Sequence, residues 1–263
     1  MSRVLSSLLR LLLVWAHGSS SVPVTVRVLT YNIHHGEGTD GRFDLSRLAG
    51  VMTSVQPDLV ALQEVDQGTE WVSGVDELAE LEHLTAMHAV FGKAMDYRGG
   101  GYGVAVLSRW PLVSAHNYPL PSFPDHEPRT ALTVELLAGK RGPLLEFTCT
   151  HLDQARGPEN RLVQAQYLND LLVRDDGRAM VLAGDMNARP DTEVMDLFGA
   201  RWANPPVAEP SSPTPTGLPR SRIDYVLIRP AGMWRVNESR LIDEPVASDH
   251  RPLLVVLQWT GPR

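Results

Sequence analysis

From residue 24 onward the chain alternates short apolar runs with amphipathic stretches, and proline, glycine or polar clusters mark most of the changes. VTVRVLT (24–30), DLVALQ (58–63) and AMVLAGD (179–185) are compact and rich in β-branched or aliphatic side chains, so they predict buried strands. Between the first two, DLSRLAGVMTSV (44–55) places Leu45, Leu48, Val51, Met52 and Val55 at helical spacing. Gln56-Pro57 ends that helix, because a proline disfavours helical backbone in the residue before it. DELAELEHLTAMHAVF (76–91) repeats the helical pattern, and PENRLVQAQYLNDLLV (158–173) predicts a long amphipathic helix with proline near its first turn. GVAVLSR, PLVSAHNYPL, RTALTVELL, PLLEFTCTHL, RIDYVLI and RPLLVVLQW complete the set of strands.

Strands interspersed with helices along the whole length predict an α/β layered architecture. No internal repeat of fixed period is present. The one low-complexity piece, NPPVAEPSSPTPTGLPR (204–220), has no core-forming face and lies between two core segments. It therefore reads as a surface excursion within one domain, not as a linker. GGGYG (99–103) lacks the strand–turn–helix context of a dinucleotide loop and predicts a hairpin or tight turn.

Composition narrows the picture. In 263 residues, 43% hydrophobic and 21% charged side chains are ordinary for a globular protein with a large core. A net charge of −7 argues against sequence-blind nucleic-acid binding, which needs a basic footprint, although a bound cation leaves a nuclease open. A single cysteine, Cys149, excludes an intrachain disulfide framework and a cysteine-rich zinc site. Residues 1–22 contain Arg3, an apolar stretch to Trp15 and small residues near Gly18, the layout of an export signal. Arg10 interrupts it, which leaves an irregular extension as the alternative, and the run is too short to span a membrane. The first reading makes the protein secreted or periplasmic, the second cytoplasmic.

The chemistry-bearing residues cluster at strand termini. Asn32 follows the first strand and Glu64 ends DLVALQE; His151 and Asp153 close FTCTHLD, and Asp185 and Asn187 close VLAGDMN. Asp224 begins RIDYVLI, and Asp249 and His250 precede RPLLVV. In a mixed sheet, strand ends and strand beginnings meet on one rim, where active-site groups tend to gather. Crowded carboxylates repel one another, and a hard divalent cation relieves that repulsion. Oxygen ligands without thiolate favour Mg²⁺, with Mn²⁺ or Ca²⁺ as alternatives. Histidines beside a metal-bound phosphate suit in-line attack of water on a phosphorus ester.

TYNIHHG, LQEV, GVAVLSRWPL, THLD, GDMNARP, RIDYV and SDHRPLLV resemble, in order, the motif series of the endonuclease/exonuclease/phosphatase superfamily. That superfamily includes deoxyribonuclease-like enzymes, abasic-site endonucleases, inositol polyphosphate phosphatases and neutral sphingomyelinases. The match runs from about residue 26 to 258 and implies a catalytic domain over residues 23–263. It also implies a four-layer sandwich of two mixed β-sheets packed face to face with helices outside. By the same resemblance Glu64 is the main Mg²⁺ ligand, with Asn32 and Asp249 nearby. Asp185 orients or activates water with Asn187, and Asp224 fixes the tautomer of His250. His250 contacts the scissile phosphate, and His151 serves the phosphate or the leaving oxygen.

Several residues keep two readings. Arg129 either reaches a substrate phosphate or forms a structural ion pair, and Asp224 alone could pair with Arg222. His34 and His35 have no role in the family pattern; one of the two residues is read as supporting or substrate-facing and the other as structural. Gly36 and Gly38 are read as letting the chain turn tightly beneath a substrate. Trp71 and Trp202, with the proline-rich loop, either shape the substrate pocket or, for the tryptophans, belong to the core. Asn237-Glu238-Ser239 fits a glycosylation acceptor. Ser248-Asp249-His250 cannot form a catalytic triad, because adjacent residues of an extended chain point to opposite faces. Cys149 reads as a small buried side chain, not as the partner of His151. The expectation is a monomeric, metal-dependent phosphodiesterase on a small or lipid-derived diester. A nuclease is the first alternative and an inactive binding module on the same scaffold the second.

Overall fold

A computed structural model describes residues 24–140, 142–208 and 222–261. The proposed export signal and most of the proline-rich loop lie outside these residues.

Among the described residues, eleven strands form two mixed sheets. The first has the order β10(Trp234–Leu241)-β11(Leu253–Trp259)-β1(Val24–Asn32)-β2(Leu59–Gln67)-β4(Gly100–Ser108)-β3(His88–Tyr97). The second has the order β5(Leu112–Pro119)-β6(Thr130–Leu137)-β7(Leu144–His151)-β8(Ala179–Asp185)-β9(Asp224–Arg229). Each sheet holds one parallel pair, β1 with β2 and β7 with β8; all other neighbours are antiparallel. Helices α1(Leu45–Ser54) and α2(Glu77–Thr85) cover the first sheet, and α3(Glu159–Leu172) and α4(Glu193–Gly199) cover the second. This is the expected four-layer sandwich.

Strand alternation decides which side chain enters which layer. Along β1, Val26 and Val28 pack between the sheets against Phe147, Val181 and Val226, while Leu29 and Tyr31 pack beneath the helices with Leu48 and Met52. A third layer joins Met180, Leu182 and Tyr225 to Leu168 and Phe198. Asp44 caps α1 by accepting from the Arg47 N–H at 2.9 Å, and Asp76 caps α2 by accepting from Ala79 at 3.0 Å.

Two sequence expectations need adjustment. The helix expected over 76–91 stops at Thr85; Ala86 takes a left-handed conformation (φ 54°), and His88 begins β3. Helix α3 is amphipathic by period but not by polarity, since its buried face includes Asn160, Gln164 and Asn169. These amides are buried because they hold loops: Gln164 Nε2 donates to Pro121 O at 3.1 Å and its Oε1 accepts from the Asp153 N–H at 2.9 Å. The glycine-rich 99–103 segment belongs to the β3–β4 hairpin, turning through Arg98 (φ 41°) and Gly99 (φ 81°). Among the described residues no helix is long and apolar enough to cross a membrane.

Candidate active site

At one rim of the sandwich the layer between the sheets changes from aliphatic to polar. The alternation that puts Val26 and Val28 inside also puts Thr30 and Asn32 inside, and Phe147 and Cys149 are followed in phase by His151. Val181 and Ala183 lead likewise to Asp185, and Val226 leads back to Asp224. His151, Asp185 and Asp224 are direct partners across β7, β8 and β9, so three strands deliver one polar rung. Gly184 is required there: a β-carbon would lie 1.9 Å from the Thr150 carbonyl oxygen.

Glu64 arrives by a different device. The β2–β4 register shifts between Gln63 and Val65, leaving Glu64 as the extra residue of a bulge with φ 58°. Leu62 and Val65 both stay on the helix side, and the bulged glutamate is re-aimed toward the rim. Asn32 Nδ2 donates to Glu64 Oε1 at 2.8 Å and lies 3.3 Å from Asp185 Oδ2, so one amide ties both sheets together. Ser248 Oγ donates to the Asn32 carbonyl at 2.7 Å, which anchors the loop carrying Asp249 and His250 and keeps this serine out of any triad.

The histidines sit in contrasting fields. His250 Nδ1 lies 2.9 Å from Asp224 Oδ2, and its Nε2 lies 3.7 Å from Asp185 Oδ2. Burial disfavours its charge, yet Asp224, Asp185 and Asp249 outweigh that cost and raise its pKa to about 10, so the ring is cationic at neutral pH. Burial, and then the neighbouring Asp224, push Asp185 up to about 7 against the opposing pull of His250. His151 is held well below the usual imidazole value by burial and by the Arg129 guanidinium. Arg129 Nη1 lies 2.8 Å from His151 Nδ1 and 3.2 Å from Glu127 Oε1, and its side chain is buried. Arg129 thus makes an ion pair with Glu127 as well as its contact with His151. On the far side of the ring, His151 Nε2 faces Asn187 Nδ2 at 3.0 Å and Asp185 Oδ2 at 3.5 Å.

Glu64 and Asp249 line one cavity of about 350 Å³ together with His34, His35, Trp71 and Glu127. Its size is at the small end for a ligand pocket. Trp71 is 48% exposed at this cavity, whereas Trp202 is core, donating from Nε1 to Asn169 Oδ1 at 3.0 Å. Asp153 turns away to accept from Ala155 N–H at 3.1 Å and to meet His126 Nδ1 at 3.1 Å. Cys149 is buried, and burial pushes its thiol up to about 12, which leaves no thiol–imidazole pair to build. Gly36 and Gly38 serve packing: a β-carbon at Gly36 would meet the Phe43 ring at 2.6 Å, and one at Gly38 the Val246 carbonyl oxygen at 2.4 Å. Sequence reasoning did not single out Glu127, Gln154, Met95 and Tyr102 as cavity residues; they come from loops and a hairpin without a distinguishing motif.

Asp185, Asp224 and His250 each offer a ligand atom within 4.8 Å of the others, and Asp224 Oδ1 is buried without a hydrogen-bond partner among the described residues. With Glu64 and Asp249 beside them, the donors are oxygen and imidazole with no thiolate, which fits a hard divalent cation.

The model of the Endonuclease/Exonuclease/phosphatase family matches residues 29–250. The chain belongs to that family. Its members are hydrolytic phosphoesterases, generally dependent on a divalent metal. The uncharacterized protein YbhP of Escherichia coli strain K12 is 27% identical over 246 residues, covering 86% of this chain and 94% of YbhP. A family member from Beutenbergia cavernae superposes with a TM-score of 0.72 at 25% identity, covering 89% of this chain and 72% of that one. Sphingomyelinase C from Streptomyces griseocarneus shares the fold, with a TM-score of 0.67 and 20% identity over 91% of this chain and 99% of its own.

Proposed function

We propose that residues 23–263 form one catalytic unit that hydrolyses a small or lipid-derived phosphodiester with Mg²⁺ by in-line attack of water. The observation that carries this reading is the rung His151–Asp185–Asp224 meeting His250, with Asn32 linking it to Glu64. Glu64 and Asp249, which open onto the cavity, are the carboxylates that hold the ion, with Asn32 beside them. Asp224 and His250 are less suited to that task, because they are bonded to each other, His250 Nδ1 lying 2.9 Å from Asp224 Oδ2. The ion supplies charge neutralisation at the phosphate oxygens.

The chain's own groups do the rest. Asp185, with a pKa near neutrality, accepts the proton of the attacking water while Asn187 orients it. His250, steadied by Asp224, presents Nε2–H to a phosphate oxygen, the orienting role of a carboxylate–histidine pair. His151 presents a neutral Nε2–H to the phosphate or the leaving oxygen, and Arg129 acts through that ring instead of touching substrate. The acidic net charge and the small cavity favour a compact substrate over a long polyanion. The resemblance to sphingomyelinase C supports the fold and leaves the substrate to experiment.

The test is hydrolysis of bis(4-nitrophenyl) phosphate with and without EDTA, followed by a panel of DNA, RNA, sphingomyelin, phosphoinositides and sugar phosphates. Metal-dependent turnover, highest on a compact diester, is expected. No turnover by folded protein on any of these would favour a binding module.

A further inference from the structure

Glu64 has a second set of neighbours that the chemistry above leaves unused. His34 and His35 lie in a short 3-10 turn (His34–Gly36) directly after β1, and both take left-handed backbone, with φ 47° and 53°. Glu64 is left-handed as well, at φ 58°. Three such residues other than glycine at one place are uncommon, and such conformations concentrate at functional sites.

The strained turn delivers the His35 ring into a prepared niche. Its Nδ1 bonds to Oδ2 of the fully buried Asp66. Tyr102 stacks on the ring at 5.3 Å, with Trp71 at 5.6 Å and Tyr97 at 6.5 Å. Asp66 is itself steadied, its backbone N–H donating to Glu77 Oε2 at 2.6 Å. Packing alone would not require a buried carboxylate on the ring, still less one whose Oδ1 lacks a hydrogen-bond partner among the described residues. With Nδ1 occupied, His35 Nε2 is left 3.5 Å from Glu64 Oε2. Asn32 takes the other oxygen, Oε1, at 2.8 Å, so the carboxylate has one neighbour for each oxygen and a single orientation.

We propose that His35, held by Asp66, is a positioning residue that presets Glu64 for a divalent cation. The Asp66–His35–Glu64 row is a counterpart of the Asp224–His250 pair on the opposite side of the rim. Outer partners of this kind orient a ligand before the ion arrives. The inference rests on the reading that Glu64 holds the ion.

The test is calorimetric titration of Mn²⁺ alone into the metal-stripped full chain and its His35→Phe, His35→Gln, Asp66→Asn and Glu64→Gln variants. His35→Phe keeps a ring against Tyr102 and Trp71 and should weaken Mn²⁺ binding by roughly 10–100-fold with the fold intact by circular dichroism. His35→Gln can return an amide to Glu64 and should recover part of the loss. Asp66→Asn, nearly isosteric, should weaken binding in the same direction and serves if the His35 variants fail to fold. In turnover assays, His35→Phe should raise the Mn²⁺ concentration for half-maximal rate more than it lowers the rate at saturation. Unchanged Mn²⁺ affinity in folded His35 and Asp66 variants, with affinity lost in Glu64→Gln, would overturn the positioning role and leave the metal reading standing. Unchanged affinity in Glu64→Gln would overturn both.

Discussion

Arg129 Nη1 lies 2.8 Å from His151 Nδ1, and this contact decides where the ring proton resides. A guanidinium can only donate, so Nδ1 accepts and the proton sits on Nε2, where Asp185 Oδ2 at 3.5 Å is the acceptor facing it. The Asn187 amide nitrogen on that side is itself a donor, bonded to the Leu152 carbonyl. Burial, and then the same cation, hold the ring well below the ordinary imidazole value. Arg129→Met should therefore lower turnover by roughly 10²-fold, through His151 and not through lost substrate contact. The sign of its pH effect follows: without the neighbouring positive charge His151 protonates more easily, so the acid limb of the kcat/KM profile should move to higher pH. Partial restoration of both properties by Arg129→Lys would complete the test. An unshifted profile would detach Arg129 from His151.

Glu64→Gln and His250→Asn should each cut metal-dependent phosphodiester hydrolysis by roughly 10²–10⁴-fold without altering the circular dichroism spectrum. EDTA should abolish wild-type turnover, and Mg²⁺ or Mn²⁺ should restore it. Near-normal rates in either variant would remove the role assigned to that residue.

Glu77 makes a prediction about stability. It is fully buried, and burial pushes its carboxyl up to about 8, with Asp66 adding to the rise and a backbone N–H opposing it. A carboxyl raised in the folded state binds its proton more tightly there than in the unfolded chain. Its favourable contribution is therefore complete below the ordinary carboxyl range and is lost as pH climbs through about 8. Glu77→Gln keeps an acceptor for the Asp66 N–H and removes the titration. The melting temperature of the variant relative to wild type should rise between about pH 5 and about pH 9. A constant difference across that window would show that Glu77 does not titrate as the buried acid described.

Cys149 lies between the sheets, its Sγ donating to the Leu62 carbonyl at 3.3 Å. Cys149→Ser should leave turnover essentially intact, and the thiol of the native protein should resist a chromogenic disulfide reagent until denaturant is added. Abolished activity in a folded serine variant would revive a thiol role.

The sequence conveyed what depends on local period. Val26 and Val28 against Leu29 and Tyr31 alternate as two faces of one strand must, and the polar residues at the ends of β1, β7 and β8 stay in phase with the aliphatic ones before them. The end of α2 was hidden because Ala86 adopts a left-handed turn that glycine or asparagine would usually announce. In MHAVF the apolar spacing suits a helix and a strand equally. The polarity of the buried face of α3 was also out of reach, since its amides answer to loop groups such as Pro121 O, far away in the chain. Arg129 with His151, and His35 with Asp66, are likewise pairs that only the assembled sheets create. The motif residues pointed to a site; of the groups that orient them, Arg129 and Asp66 lie outside every motif, and His35 lies within TYNIHHG without a role in the family pattern.

The irregularity at Glu64 has a bearing on how the protein tolerates insertions and deletions. Removing one residue from LQEVDQ would restore even pairing with β4, yet no neighbour could inherit the vacated place. Gln63 is already engaged with Cys149 Sγ at 3.3 Å, and Val65 is needed beneath the helices. Single-residue length changes in this strand should thus be far more damaging than most point substitutions along it, because the frame of the strand is itself the determinant of where the acidic group emerges.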